Sequence, residues 1–144
     1  MINSRKLDDL HPLVKEKCLS FINACHDENI DVIITSTYRD NESQSHLYNI
    51  GRTEPGRRVT NAKPGYSFHN HRVAFDFVPI KNGKAQWNDI KLIEKCGHVA
   101  EECGLEWAGR WIGFKELLHC QYTSGLSIHD FIAGRNLDTL KDTA

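Results

Sequence analysis

Apolar residues recur with helical spacing in two stretches of the chain. The first starts at Pro12, which suits the first position of a helix, and predicts a helix to about Glu28. The second predicts a helix that begins at Asn88 and ends near Gly104. The two stripes, which we expect to pack on the core, are Leu13, Val14, Cys18, Phe21, Ile22 and Cys25, and Ile93, Cys96, Ala100 and Cys103.

Three other stretches predict β-strands. Asp31 to Tyr38 is rich in β-branched residues, Val73 to Val78 alternates between two faces, and Leu117 to Tyr122 predicts a further short strand. In the second of these strands Asp76 shares its face with Ala74 and Val78, so it is a carboxylate on an otherwise apolar face.

Short helices and loops join these elements. Asp40 is placed to cap a helix through about Asn49, Lys81 to Lys84 predicts a turn, and Ile128 to Ala133 predicts a last short helix. Gly51 to Ser67 has no apolar period and predicts a long irregular loop, a feature that is often functional. Together the elements predict an α+β fold, a small and mainly antiparallel sheet with flanking helices, in one domain over residues 1–144.

Charge and hydropathy exclude several functional classes. A formal net charge of −1 gives no general reason to expect nucleic-acid binding, although Arg52, Arg57, Arg58 and Lys63 form one basic stretch. No apolar run approaches the roughly 20 residues that span a bilayer. The first ten residues lack the layout of a secretory signal. We expect a monomer without stable membrane association, made in the cytoplasm and kept there until something releases it.

The five cysteines favour burial over metal or redox chemistry. Cys18 and Cys25, like Cys96 and Cys103, are seven residues apart on a predicted helix, so that each pair faces one way. No C-x-x-C pair is present, so neither a cysteine zinc site nor a redox motif is supported.

Candidate metal ligands cluster just before and inside the second strand. His69, His71 and Asp76 fall within eight residues and are ligand types that suit zinc. The step from His69 to Asp76 is odd, so on an unbroken strand their side chains would point to opposite faces. His69 must therefore lie in a loop or across a bulge if both bind one metal.

A further acid and imidazole occur three residues apart, at Glu116 and His119. Two histidines and one aspartate would leave the fourth tetrahedral position open for water, as in catalytic zinc sites. An adjacent carboxylate such as Glu116 could then act as general base. Taken singly, each of these residues also fits an ordinary structural or surface role, and His71 is a rival ligand.

The sequence pattern around these residues resembles that of the zinc D,D-peptidases of the VanX/VanY type. The matching pattern is Ser67-x-His69-x4-Ala74-x-Asp76 followed by Glu116-x-x-His119, with Ser36-Thr-Tyr38-Arg39 and Gln44 upstream. The stretch Gly51-Arg-Thr-x-Pro55-Gly-x-x-Val-Thr60-x-Ala62-x-x-Gly65 looks most like the phage L-alanyl-D-glutamate endolysins. The resemblance runs from about Thr35 to Tyr122.

This resemblance implies a D,D-peptidase/hedgehog-like fold and a role for each matching residue. His69, Asp76 and His119 would hold Zn²⁺, and Glu116 would be the catalytic acid and base. Arg39 would bind a substrate carboxylate or polarise the scissile carbonyl, a task that suits its fixed fork of donors. Ser67 would support the metal loop or a substrate group, and Gln44 would belong with Arg39 to the substrate-binding residues.

Two departures from the family pattern bear on specificity. Arg72 stands where the family's metal motif usually has glycine, so the turn there could differ. Glu116 is one methylene longer than the aspartate that the endolysins often use.

An HNH-nuclease interpretation of His69-Asn70-His71 fails, because an apolar strand follows and no basic helix comes after it.

The resemblance implies hydrolysis of the L-alanyl-D-glutamate bond in the stem peptide of bacterial peptidoglycan. It indicates a phage endolysin without a separate wall-binding module, which reaches the periplasmic wall from the host cytoplasm once the membrane is breached. A D,D-carboxypeptidase or D-Ala-D-Ala dipeptidase is the alternative enzyme. A zinc-containing wall-binding module without turnover is the alternative from another class, and the presence of Glu116 beside His119 argues against it.

Overall fold

The computed structural model describes residues 1–143 of the chain, with the side chains of residues 1–140. Within that range the centre of the molecule is a five-stranded sheet in which every strand pairing is antiparallel. Its order is β1 (Asp31–Ser36), β2 (Ala74–Lys81), β5 (His119–Gln121) and β4 (Glu106–Trp107), while β3 (Lys84–Ala85) pairs with the far end of β2. The predicted α+β fold with a mainly antiparallel sheet is confirmed.

The helices also agree with the prediction in number and order. In the part of the chain that the structure describes, the α-helices are α1 (Pro12–Asp27), α2 (Asn41–Asn49), α3 (Ile90–Glu102) and α4 (Ile128–Ile132). Four 3-10 helices accompany them, at Leu7–Asp9, Phe68–His71, Ala108–Arg110 and Leu137–Thr143. As predicted, Asp40 caps α2, because its carboxylate accepts a hydrogen bond from the backbone N–H of Ser43 at 2.8 Å.

Several boundaries differ from the prediction for identifiable reasons. β1 ends at Ser36 because Thr37 and Tyr38 exchange backbone hydrogen bonds with Ser4 instead of continuing the ladder with β2. α3 begins two residues later than predicted, because the carboxylate of Asp89 accepts from the N–H of Leu92 and so takes the cap position. β3 and β4 were not predicted, since two residues are too few to show an alternating pattern.

Helices α1 and α3 cover one face of the sheet and form the core with it. Phe21 of α1 packs between Phe75 and Phe77 of β2, with ring centroids 5.8 and 5.1 Å away. The predicted burial of the cysteines is confirmed: all five are free thiols, four are buried and Cys103 is partly buried. Burial raises the pKa of the Cys18 thiol to about 12, so that thiol stays neutral.

No helix within residues 1–143 is long and apolar enough to cross a membrane. The predicted irregular loop is present between α2 and the 3-10 helix Phe68–His71, and it contains turns but no α-helix or named strand. This loop borders the cavity described next.

Candidate active site

The three predicted metal ligands come together from separate segments. Asp76 lies in β2, and His119 is its direct partner across the β2–β5 ladder. His69 comes from the 3-10 helix that precedes β2. Oδ1 of Asp76 is 3.2 Å from Nε2 of His69 and 3.2 Å from Nδ1 of His119, and one ligand atom of each residue lies within 4.8 Å of the others.

The chain turns sharply to bring His69 onto the face of Asp76, and the predicted break in the strand is confirmed. Ser67 caps the 3-10 helix by accepting from the backbone N–H of His69 at 3.3 Å, and the side chain of Asn70 completes a capping box. Arg72 then takes the left-handed conformation, with φ of 65°. This is the conformation that glycine favours, and here an arginine adopts it.

Contacts of the Arg72 side chain compensate for that backbone conformation. Its guanidinium carbon lies 3.9 Å from the ring centroid of Tyr38, and Nη1 donates to the carbonyl oxygen of Asp9 at 2.9 Å. A non-glycine residue in the left-handed region costs about 1–2 kcal/mol. A cation–π contact contributes about 0.5–1 kcal/mol at an exposed site, so the two effects are of similar size.

Hydrogen bonds on the outer side of each imidazole set which nitrogen faces the centre. Nδ1 of His69 lies 2.8 Å from the carbonyl oxygen of Thr37, and Nε2 of His119 lies 2.8 Å from Oε1 of Gln121. Both partners are acceptors, so each of these nitrogens carries the hydrogen. In the neutral rings, the lone pairs of the other two nitrogens then point at the Asp76 oxygen.

With neutral rings three electron-rich atoms converge here, and either a metal ion between them or a proton on each imidazole removes their repulsion. Zinc lies about 2.0–2.1 Å from its nitrogen and oxygen ligands, so tetrahedral ligand atoms are separated by about 3.3–3.4 Å, close to the 3.2 Å found here. Outer partners of the kind made by Thr37 and Gln121 also accompany metal-bound histidines. The residues therefore fit a divalent metal.

The electrostatics of the ligand group point the same way. Burial raises the pKa of the Asp76 carboxyl, but attraction to His69 and the hydrogen bonds to both imidazoles outweigh it, and the pKa falls well below its usual range. Burial likewise lowers the pKa of His119, yet the hydrogen bond to Asp76 and its charge raise that pKa overall. The site thus stabilises positive charge beside an ionised Asp76.

His71, the rival ligand, lies outside this group. Its Nε2 is 2.8 Å from the carbonyl oxygen of Gly65, and its ring packs on Phe131 with centroids 5.3 Å apart. It therefore ties the loop to α4 and is not among the clustered ligand atoms.

Glu116 lies beside the ligand group and is accessible. Its Oε2 is 3.8 Å from Nδ1 of His119, and about a third of its side chain is exposed. Its backbone is held by a hydrogen bond from its N–H to Ala108 and by one from the N–H of His119 to its carbonyl. Within residues 1–140 the carboxylate accepts no hydrogen bond, so it is free to exchange a proton with a bound molecule.

A cavity of about 540 Å³ opens on this group, and Arg39 lies in its wall. Arg39 is 9% exposed; its Nη1 donates to Oε1 of Gln44 at 3.0 Å and its Nη2 to Oγ of Ser36 at 3.4 Å. Nε is buried without a hydrogen-bond partner in the described part of the chain. Burial lowers the pKa of the guanidinium while Asp76 and Glu116 oppose that shift, and Arg39 stays charged.

Ser67 and Gln44 occupy different places around that cavity. Ser67 lines it, besides capping the metal loop. Gln44 is fully buried behind Arg39, and its Nε2 donates to the carbonyl oxygen of Ala62 at 2.7 Å. Gln44 would therefore influence a bound substrate only by holding Arg39. It also links Arg39 to the long loop.

Three residues that support His119 were missed from the sequence. Gln121 accepts from His119, and its Nε2 lies 3.5 Å from Oε2 of Glu106, its neighbour across the β4–β5 ladder. The same oxygen accepts from the indole N–H of Trp111 at 2.6 Å, and that indole packs on His119 with centroids 5.5 Å apart. Of these three residues, only Gln121 could have been predicted to lie near His119, because residues two apart on a strand share a face.

A second cavity, of about 400 Å³, also reaches the ligand group. Asp76, Glu116 and His119 line both cavities. The remaining walls are different: Arg39 and the long loop in the first, and Thr35, Trp87 and Lys115 in the second. The ligand group therefore sits where two recesses meet.

Comparison with known proteins gives one family match and several relatives. Residues 7–123 match the family VanY: D-alanyl-D-alanine carboxypeptidase. The chain is 35% identical over 128 residues to the peptidoglycan L-alanyl-D-glutamate endopeptidase CwlK of Bacillus subtilis (strain 168), covering 78% of this chain and 73% of CwlK. It is 28% identical over 124 residues to the L-alanyl-D-glutamate peptidase of Listeria phage A118, covering 85% of this chain and 40% of the phage protein.

The similar solved structures include a zinc complex. It is the crystal structure of a mutant of the vancomycin resistance D,D-pentapeptidase VanY, from a VanB-type resistance cassette, in complex with Zn(II). The TM-score is 0.63 at 14% identity, over 85% of this chain and 83% of that one. At this identity the likeness establishes the fold.

Gln121 provides a test of the ligand geometry. Gln121→Met removes the acceptor for His119 at similar side-chain volume, and we expect divalent-metal affinity to fall about 10- to 100-fold. Competition between the protein and a chromogenic chelator for Zn²⁺ measures this. Gln121→Glu, which keeps an acceptor oxygen, should restore much of the affinity, and Gln86→Met is a control away from the ligands. Equal affinity for Gln121→Met and the unaltered protein would contradict the assignment.

Proposed function

Because this chain belongs to the VanY family of D-alanyl-D-alanine carboxypeptidases, we propose that it is a zinc peptidase of peptidoglycan, an endopeptidase that hydrolyses the L-alanyl-D-glutamate bond of the stem peptide. The meeting of two cavities at the ligand group carries this proposal. An endopeptidase must hold substrate on both sides of the scissile bond, whereas a carboxypeptidase or dipeptidase needs little room beyond it. The names of the two relatives, CwlK and the phage peptidase, support the same bond.

The chemistry divides between the metal and the chain's own residues. Zinc held by His69, Asp76 and His119 would supply Lewis acidity and a water of lowered pKa. Glu116, exposed to both cavities and 3.8 Å from His119, takes the proton of the attacking water and returns it to the leaving amide nitrogen.

Arg39 supplies the fixed positive charge of the first cavity. The D-glutamate and the terminus of a stem peptide carry carboxylates, and a guanidinium can bind a carboxylate through two parallel hydrogen bonds. The position of Arg39 in the cavity wall suits such a ligand. Gln44 and Ser36 each accept one N–H of the two terminal nitrogens and so orient the fork, and one N–H of each terminal nitrogen remains for the carboxylate.

A biological role in lysis is consistent with these features. One relative is a phage protein, which supports the predicted role as an endolysin that reaches the wall after the membrane is breached. A D,D-carboxypeptidase is the second candidate, because the matching family is described by that activity. The two candidates release different products.

Product analysis separates these candidates. The zinc-loaded protein is incubated with purified peptidoglycan, and the products are identified by mass spectrometry after amino-terminal labelling. We expect new D-glutamate amino termini and no free D-alanine. Release of D-alanine or of the D-alanine dipeptide without new D-glutamate termini would instead identify the carboxypeptidase or dipeptidase activity.

Glu116→Gln tests the role of the general base. The amide cannot take a proton, so we expect turnover to fall about 10²- to 10⁴-fold while zinc content and thermal stability stay close to those of the unaltered protein. The comparison variant is Glu94→Gln, an exposed position on α3. If Glu116→Gln lyses walls at a near-normal rate, another group must be the base.

Arg39→Lys tests the carboxylate contact. Loss of the bidentate geometry should lower kcat/KM by roughly 10- to 150-fold on a D-glutamate peptide. The same peptide with that carboxylate amidated should be a poor substrate for the unaltered protein and only slightly worse for the variant. A loss that is equal for both substrates would mean that Arg39 does not bind this carboxylate.

A further inference from the structure

The second cavity differs from the first in its charged group, which is a lysine ammonium in place of the Arg39 guanidinium. Apart from the three residues that it shares with the first cavity, its lining includes Thr35 of β1, Trp87 between β3 and α3, and Lys115 just before Glu116. Lys115 is exposed and makes no ion pair or hydrogen bond within residues 1–140. Arg39 does not line this recess; Leu117 and Leu118 complete its lining, so its own walls combine an apolar surface with one exposed ammonium donor.

Trp87 is the unusual member of this lining. Its indole is 54% exposed, although tryptophan is mostly buried in folded proteins. It makes no ring contact within the described residues, in contrast to Trp107 and Trp111, whose indoles pack on histidines. An unpartnered indole at the mouth of a recess next to a reactive centre offers a flat apolar surface for a ligand.

The proposed function determines which end of the substrate lies in which cavity. The L-alanyl-D-glutamate bond separates two chemically different ends of the substrate. The acidic residues of the stem lie on the glutamate side, and the muramoyl sugar is joined to the alanine on the other. A substrate whose acidic side lies against Arg39 in the first cavity must direct its sugar end into the second.

We propose that the second cavity is a saccharide subsite that binds the N-acetylmuramoyl group at the amino end of the stem. The ring of Trp87 packs on the apolar C–H face of the pyranose, and Lys115 donates a hydrogen bond to a sugar oxygen. This inference rests on the proposed function for the direction of the substrate. It adds recognition of the glycan to recognition of the peptide.

The kinetic test compares two substrates with two variants. The substrates are a muramoyl peptide and the same peptide with an acetyl group in place of the sugar. Trp87→Ala should lower the kcat/KM ratio of the sugar-bearing to the sugar-free substrate by about 3- to 10-fold. Trp87→Tyr, which keeps a flat ring, should restore most of that ratio. Phe114→Ala is the matched control, since Phe114 is a similarly exposed aromatic residue in the first cavity only.

A binding measurement separates failure of this inference from failure of the proposed function. Titration of the zinc-loaded protein with N-acetylmuramoyl-L-alanine, followed by NMR, should show tighter binding than titration with N-acetyl-L-alanine, and Trp87→Ala should abolish the difference. Equal binding of the two probes, or a Trp87→Ala ratio like that of Phe114→Ala, overturns the saccharide subsite. Absence of L-alanyl-D-glutamate cleavage overturns the proposed function alone, since the titration does not depend on turnover.

Discussion

The convergence of two imidazole nitrogens on one carboxylate oxygen is the interaction on which the rest of the site depends. Unless a metal ion lies between them or the imidazoles are protonated, these three atoms repel one another in a largely buried position. Their arrangement is held by groups that cannot easily move: the carbonyl of Thr37 at the end of β1, and the side chain of Gln121 on β5. The sheet therefore fixes the direction of each lone pair before any ligand binds, which limits the reorganisation that binding requires.

Arg39 illustrates how the same framework supports substrate binding. A buried guanidinium with an unpartnered Nε is unfavourable for folding, because its desolvation is only partly compensated by Gln44 and Ser36. Arg39 lies in the wall of the cavity, where a ligand carboxylate that accepts from its terminal nitrogens can offset the cost of burying its charge. The link from Gln44 to Ala62 also couples the position of Arg39 to the long loop.

Much of the fold and part of the site could be predicted from the sequence. Long periodic stretches gave α1 and α3 within two residues of their bounds, and the odd spacing from His69 to Asp76 required a break in the strand, which is present. Asp76 and His119 are partners through the register of β2 with β5, and no local pattern contains that register. For the same reason Glu106 could not be connected with Gln121, nor Trp87 with Lys115. Resemblance to a family implied the three ligands, which the structure brings together, but gave no indication of these supporting residues.

The left-handed turn at Arg72 has a consequence for how such sequences change over evolutionary time. Glycine at this position would adopt the turn without any side-chain contact to residue 38. With arginine in place, the aromatic ring of Tyr38 becomes part of what makes the turn tolerable. The two positions, 34 residues apart in the chain, are therefore coupled, and loss of the tyrosine ring should favour glycine at position 72.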